Sequence, residues 1–445
     1  MAIPFPRLAL AVAMALLPVS GAFAATGYTL STIALQGAPA PGTTDAFGAF
    51  LDVALDEAGR VGFGAPLSSG FPNAGVWVDE GSGPVLRTRT GHPAPAPYPG
   101  TFGPFSAYTR LDGSGRAAYA AILTGSVDGI YLDTAGADSV LVAEGSAAPV
   151  PPGGTLGATI SNVGFFGMNA AGDIAFRSNV TGGTHPRGVF HRSAAGVMQL
   201  LAGAGDSVFG GAETYSSFGY PALNDGGTVA FEAVTTGGPA SPGLFADTGS
   251  GTLALARAGD PAPGTGGGTL VNFLYPAINA SGSVAFLSNV TGGSATGGFF
   301  VASSAVASVV VQGQTLPGAG PITTISSLPD IASDGSVAMS LAFGSGPVAG
   351  GVWVHDAGVY TPVALAGEIA PSSGGAAFAS FGFLSRNDAG RVAFVATLND
   401  ARTGIFLATP VPPPAPVPLM TGPGLPLLAL LLAGTAAARL RRAAR

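Results

Sequence analysis

Neither lysine nor cysteine occurs anywhere in the chain. Without lysine there is no phosphate loop of the G-x-x-x-x-G-K-[ST] type, no Schiff base and no Ser/Lys dyad. Without cysteine there is no thiol nucleophile, no cysteine zinc site and no disulfide framework, so stability has to come from packing and closure. Charge is scarce as well: charged residues make up 9%, against about 25% in an ordinary globular domain. The four histidines, His92, His185, His191 and His355, are the only groups available as a neutral-pH imidazole base or ligand. Neither G-x-S-x-G nor H-E-x-x-H is present, and no motif calls for a cofactor.

What the chain has instead is glycine (71) and proline (37), a content that without periodicity would mean low complexity. The 445 residues would ordinarily divide into several domains, unless a repeat organises them into one body. A repeat is present.

The two ends read as addresses. Residues 1–24 run from Arg7 through an apolar stretch to Ala22-Phe23-Ala24, the pattern of a secretory signal peptide with cleavage expected before Ala25. A short N-terminal core helix is the alternative. At the other end, residues 410–418 form a proline-rich spacer, stiff and extended. An apolar run over 419–438 follows, just long enough to span a bilayer, and then Arg439, Arg441, Arg442 and Arg445. The basic cluster is expected to stay cytoplasmic, leaving the body outside. Removing both ends takes away five arginines and no acid, so twelve arginines face 24 acids at a net charge of −12. Such a body repels nucleic acid and anionic membrane.

Between the ends three landmarks recur. The sharpest is Asn-x-x-Gly-x-Val-Ala-Phe, matched fully at residues 224–231, 279–286 and 387–394, with Ile174 the one departure at 169–176. Weaker copies lie at 56–63, 112–119 and 332–339. The fixed glycines are Gly59, Gly115, Gly172, Gly227, Gly282, Gly335 and Gly390, at steps of 56, 57, 55, 55, 53 and 55 residues, a register chance does not hold. The second landmark is glycine, an apolar residue and an aromatic, seven times from Gly75-Val76-Trp77 to Gly404-Ile405-Phe406. The third is an apolar strand ending in Gly-x-x-x-Pro or a near variant, at Gly37, Gly91, Gly145, Gly203, Gly259, Gly313 and Gly367.

Each unit therefore reads as four short strands joined by Asn, Asp and Gly turns. Residues 25–409 are expected to form an all-β, seven-bladed β-propeller of four-stranded blades, flanked by an N-terminal signal helix and a C-terminal hydrophobic helix. Tandem sandwiches are the alternative, but four strands per unit are too few to bury two faces alone. A fourth-strand copy stands alone at residues 28–37, and the seventh unit stops after Phe406 without one. The N-terminal strand is thus expected to complete blade 7 and remove the exposed edge.

These units resemble the tandem NxxGxxAF repeats of exported bacterial proteins, over roughly residues 30–408. The tail resembles the PEP-CTERM and IPTL-CTERM sorting signals processed by exosortase-like systems. It has no Pro-Glu-Pro; Val417-Pro418-Leu419-Met420, followed by Gly424-Leu425, is closer to the IPTL type, with Arg439, Arg441 and Arg442 as the basic end. The resemblance implies an exported protein sorted through the export machinery and such an enzyme, displayed at the cell surface or released outside. A membrane anchor that stays attached is the alternative. Neither resemblance carries an activity.

Candidate site residues are few. The histidines fall in different units at different repeat positions, and His185 with Arg187, in the third unit's connector, is the pair that departs from its neighbours. Acids after the third strands, Asp79, Glu80, Asp133, Asp247 and Asp356, read as hairpin residues, since no Asp-x-Asp-x-Asp-Gly loop is present. No catalytic, cofactor or metal site is assigned. The expected function is a non-enzymatic scaffold, with a monomeric body, that binds glycans or proteins through its variable loops and does not bind nucleic acid. The competing class is an extracellular hydrolase or lyase with residues converging at one channel mouth.

Overall fold

The structure, a computed structural model, describes residues 27–70, 72–150, 153–157, 165–238, 241–325 and 328–412. The expected signal helix with Ala22, Ala24 and Ala25, and the tail with Val417, Pro418, Leu419, Met420, Gly424, Arg439, Arg441 and Arg442, lie outside the described residues. Among those described, no helix is long and apolar enough to cross a membrane.

Seven antiparallel sheets form a seven-bladed β-propeller. Blade 5 shows the pattern: an inner strand in two pieces, Thr269–Leu270 and Leu274–Ile278, then Val284–Thr291, Gly297–Ala302 and Val306–Val311. Six blades are contiguous in sequence. Blade 7 is composite: Phe378–Arg386, Val392–Leu398 and Thr403–Pro410 take Tyr28–Leu35 as their fourth strand, as the stray N-terminal copy predicts.

The repeat landmarks mark places where backbone geometry leaves no choice. All seven fixed glycines of the Asn motif have positive φ, from +78° to +89°, where a Cβ is disfavoured. The glycine of the second landmark makes room for its own aromatic: a Cβ on Gly243 would lie 2.8 Å from the Phe245 ring, and one on Gly404 would lie 2.8 Å from Phe406. That aromatic faces the motif's last residue across the strand pair, as Phe231↔Phe245, Phe286↔Phe300 and Phe394↔Phe406, with centroids 5.8 to 5.9 Å apart in those three pairs. One residue before it, a bulge shifts the register against the fourth strand, at Val76/Trp77 and Leu244/Phe245 for example. The borrowed strand reproduces it: Phe406 pairs with Thr32 and Ile405 with Ala34, skipping Ile33.

The third landmark needs one correction. In the third unit the turn glycine is Gly205, at φ +98°, whose N–H donates to the Tyr215 carbonyl (2.8 Å) as Gly37 does to Phe47 (2.9 Å). Gly203 lies inside the strand Met198–Gly203, paired with Gly188. The repeated Gly-Ala-Gly hides this two-residue offset from a reading of spacing.

Seven apolar clusters fill the seven gaps between blades. Along Val284-Ala285-Phe286, the Val and Phe pack back on blade 4 with Ala230 and Leu244, while Ala285 packs forward with Met339 and Trp353 of blade 6. This is the alternation expected of a sheet covered on both faces. Closure of the ring buries both.

Candidate functional site: the central channel

Every blade contributes residues of its first strand, and blades 1, 4, 5, 6 and 7 also residues of the following turn, to a central cavity of about 310 Å³. In an antiparallel meander the first-to-second and third-to-fourth turns share one face. The rim of the cavity is built from the former, the Asn turns.

At that rim the Asn side chain has two tasks. Asn279 Oδ1 accepts from the N–H groups of Ser281 (3.1 Å) and Ser283 (2.9 Å), which fixes the turn. Its Nδ2 then donates to the Ala332 carbonyl of the next blade (3.0 Å). Asn169 does the same to Asn224 (3.3 Å), Asn224 to Asn279 (2.9 Å), and Asn387 to Asp56 across the closing junction (2.9 Å). Where Asp stands for Asn the amide donor is lost, and an arginine stands four residues on; in blade 1 it supplies the donor. Arg60 Nε pairs with Asp56 at 2.5 Å and its guanidinium donates to the Gly113 carbonyl at 2.7 Å. Arg116 pairs with Asp112 at 2.5 Å. In blade 6, where Ala332 lacks any such group, Arg386 of blade 7 reaches back to the Ser336 carbonyl (3.2 Å) and hydroxyl.

A second tier of carboxylates ties neighbouring turns. Asp225 accepts from Ala170 N–H (2.7 Å), Asp388 from Ser333 N–H (2.7 Å) and Glu57 from Asp388 N–H (3.0 Å). Burial pushes the Glu57 carboxyl above its ordinary range despite that bond, and the charges of Asp388, Asp225 and Asp330 add to the effect. Among the described residues no group of three His, Cys, Asp or Glu side chains is placed to hold a metal ion.

Four residues before each Asn-motif start lies a position that the sequence reading passed over. It holds Tyr108, Phe165, Tyr220, Tyr275 and Phe383 in blades 2, 3, 4, 5 and 7, with Asp52 in blade 1 and Leu328 in blade 6. The rings meet in the channel: Phe165 lies 3.8 Å from Tyr108 and 4.4 Å from Tyr220, centroid to centroid, and Phe383 lies 6.0 Å from Tyr108. Arg177 covers the Tyr220 ring at 4.5 Å. Burial raises the Tyr108 phenol to about 12, the Asp52 charge adding to it. Pro221, Pro276 and Pro329 follow this position. Proline has no N–H to give a ladder and is at home on the channel edge of a blade. An aromatic-Pro-x-apolar-Asn run at 220–224 and 275–279 was the available signal.

Between rings and rim the wall is uneven. Blades 3, 4 and 5 present Gly167, Ala222 and Ala277. Blades 2, 6 and 7 present Arg110, Asp330 and Ser385 at the same repeat position. Arg110 pairs with Asp52 at 3.0 Å, and Asp52 is only 3% exposed. Burial raises the Asp52 carboxyl, with Arg110 opposing the shift. Asp330 accepts from Arg386 N–H (2.7 Å), and Ser385 donates nothing to Leu55 but accepts from its N–H (3.2 Å).

The histidines do not converge here. His185 Nδ1 lies 3.2 Å from the Ala204 carbonyl and its Nε2 3.6 Å from Asp206, at the start of the third strand that Arg187 opens. His191 lies 3.7 Å from Asp173, and the His355 ring packs on Tyr360 at 4.8 Å. Neither His185 nor Arg187 lines the channel. A separate hollow of about 550 Å³ between blades 5 and 6 is lined by Gln312, Gln314, His355 and Tyr360. Within it Gln314 donates to the Tyr360 hydroxyl (3.0 Å), which donates to the Val309 carbonyl (2.5 Å).

Comparison with solved structures gives remote similarities. A puromycin-hydrolysing peptidase of Mycobacterium tuberculosis is 13% identical over 82% of this chain and 52% of its own, with a TM-score of 0.44. PorZ, a surface component of the type-IX secretion system of Porphyromonas gingivalis, is 12% identical over 82% of this chain and 48% of its own, with a TM-score of 0.43. The chain thus spans about half the length of each. A gluconolactonase from Xanthomonas campestris is 14% identical over 67% of this chain and 82% of its own, with a TM-score of 0.31. No curated protein matches the sequence. A family model, described as a family of unknown function, matches residues 17–319 and 236–407.

Proposed function

The chain belongs to the family of unknown function DUF7453, and we propose that it serves as a non-enzymatic binding scaffold, exported and displayed at the cell surface or in the extracellular matrix. The observation that supports binding over catalysis is the state of the channel's titratable groups. Asp52 is paired with Arg110, Asp330 with the Arg386 N–H, and Asp225, Asp388 and Glu57 with neighbouring turns. General acid–base chemistry is carried most often by a histidine, and a carboxylate nucleophile has to leave its protein partners to attack. These carboxylates instead hold the ring together, and no histidine lines the cavity.

The test is a glycan and protein array probed with the purified full chain, run beside hydrolase and lyase assays on esters, lactones, glycosides and uronate polymers. Saturable binding without turnover is the expected result. Turnover that disappears in Asp52→Asn or Asp330→Asn would replace this reading with the hydrolase or lyase alternative.

Export rests on the signal-like residues around Ala22, Ala24 and Ala25 and on the IPTL-like tail with its arginine cluster. N-terminal sequencing of the protein from fractionated cells should find Ala25 first, outside the cytoplasmic membrane. A cytoplasmic chain beginning at Met1 would overturn it.

A further inference from the structure

The channel combines a tier of aromatic rings with a polar wall between those rings and the rim, which suits the apolar face and the hydroxyl-bearing edge of a sugar ring. We propose that the cavity binds a single uncharged pyranose, as the end of a glycan or as a free sugar; this rests on the binding-scaffold reading and names its ligand.

Three observations carry the assignment. The first is the aromatic tier. Tyr220 and Tyr275 line the cavity with rings nearly parallel, 6° apart in tilt and 6.1 Å between centroids, and Phe165 adjoins both at 4.4 and 5.9 Å. Tyr275 holds φ +54°, a left-handed backbone that bulky residues rarely adopt and that persists where the surroundings impose it. Such a platform suits the C–H face of a pyranose, which is apolar although the ring's edge is polar.

The second is the polar wall, where Asp52, Arg110, Asp330 and Ser385 come together from four different blades. Each is held by its neighbours, so its geometry is set before a ligand arrives. Their bonds leave carboxylate lone pairs and guanidinium N–H groups over: Arg110 NH1 alone accounts for both the Asp52 and Thr109 contacts, at 3.0 and 2.8 Å. A ring of vicinal hydroxyls can both donate to the carboxylates and accept from the guanidinium. A hydrocarbon ring can do neither.

The third is room and charge. Gly167, Ala222 and Ala277 keep the space beside the aromatics open, and about 310 Å³ is at the small end for a ligand pocket, one ring rather than a chain. Five carboxylates line the cavity, Asp52, Glu57, Asp225, Asp330 and Asp388, against two arginines, Arg110 and Arg386. That balance repels uronates and other acidic sugars.

Isothermal titration of the purified full chain with glucose, galactose, mannose and N-acetylglucosamine, and with glucuronate as the charged counterpart, decides it. Saturable binding of at least one uncharged sugar, and none of glucuronate, is expected. Ala277→Leu fills the cavity and Tyr220→Leu removes a ring of the platform; each should weaken that binding by at least about tenfold, on the scale of one lost stacking contact. Should one variant fail to fold, the other still decides. No binding of any uncharged sugar, binding of glucuronate as tight as theirs, or binding that survives the folded variants would overturn the assignment. Array binding that persists in Ala277→Leu would overturn the channel site while leaving the scaffold reading intact; a blank array would sink the latter.

Discussion

On one side of the ring, across blades 3, 4 and 5, neutral groups do the work: Asn169, Asn224 and Asn279 stitch each turn to the next, and Gly167, Ala222 and Ala277 face the channel. On the other side, across blades 6, 7, 1 and 2, the channel carries Asp330, Ser385, Asp52 and Arg110; Asn387 still stitches blade 7 to blade 1, while the Asp56–Arg60 and Asp112–Arg116 pairs stand at the motif starts of blades 1 and 2. The geometrical demand is the same around the circle, a donor reaching one carbonyl of the neighbouring blade. An amide meets it with one residue. A carboxylate caps its own turn as well but has no donor to offer, and at Asp56 it is Arg60 that reaches the neighbouring carbonyl. The comparison separates what closure requires from what has been added to the channel.

The cores should be indifferent to this division. Phe231→Ala on the neutral side and Phe394→Ala on the charged side each remove a fully buried ring and should cost about 3–5 kcal/mol by urea denaturation. A near-neutral result in either would separate the blades more deeply than the channel does.

The channel should show the division directly. Arg110→Ala strands the buried Asp52 carboxylate and is expected to cost about 3 kcal/mol at neutral pH, most of it recovered in Asp52→Asn/Arg110→Ala. Ala222→Ser, at the equivalent repeat position of blade 4, should cost less than about 1 kcal/mol. Equal losses would mean that the charged wall is no more strained than the neutral one.

At the rim the two kinds of stitch should differ in their response to salt. Asn279→Ala removes the turn cap and the bond to Ala332, about 1–2 kcal/mol, unchanged by about 1 M NaCl. Arg60→Leu should cost less, and the difference from the native chain should shrink in the same salt. A salt-independent loss in both variants would show that the arginine acts through its hydrogen bond to Gly113 alone.

The smallest effect lies on the charged side's outer edge. Burial, with the Asp138 charge second, pushes the Asp133 carboxyl up to about 6, above its unfolded value near 3.9. Between those two values the folded chain keeps a proton that the unfolded chain has released. The group's contribution is therefore full below about pH 4 and declines as pH rises through 6. Asp133→Asn should match the native chain at pH 4 and exceed it at pH 7 by on the order of 1 kcal/mol. A variant weaker at pH 7 would show that the 3.9 Å approach of Arg87 outweighs burial.

The scaffold was legible because its landmarks are local necessities. Gly282 needs its positive φ, Gly243 must clear Phe245, and Asn279 must cap its turn, so each recurs with the chain's own period. The channel was harder to read. Asp52 meets Arg110 across 58 residues, and the pair falls at different repeat positions, so no spacing announces it. The aromatic position does recur, but it stands outside the Asn motif and two blades break it with Asp52 and Leu328. Gly203 and Gly205 show the limit from the other side: where glycines crowd together, spacing alone cannot say which of them turns.

The borrowed strand also sets the order in which the molecule can be made. Tyr28–Leu35 pairs with Thr403–Pro410, so the earliest-synthesised strand in the ring must wait for the last before its own backbone groups are satisfied. Six blades can form in passing from mostly local contacts; the seventh brings the loop-closure entropy of nearly the whole chain to a single step. Until that step the propeller is an open arc with an unpaired edge at each end. Completion of synthesis and completion of folding are thereby tied to one event.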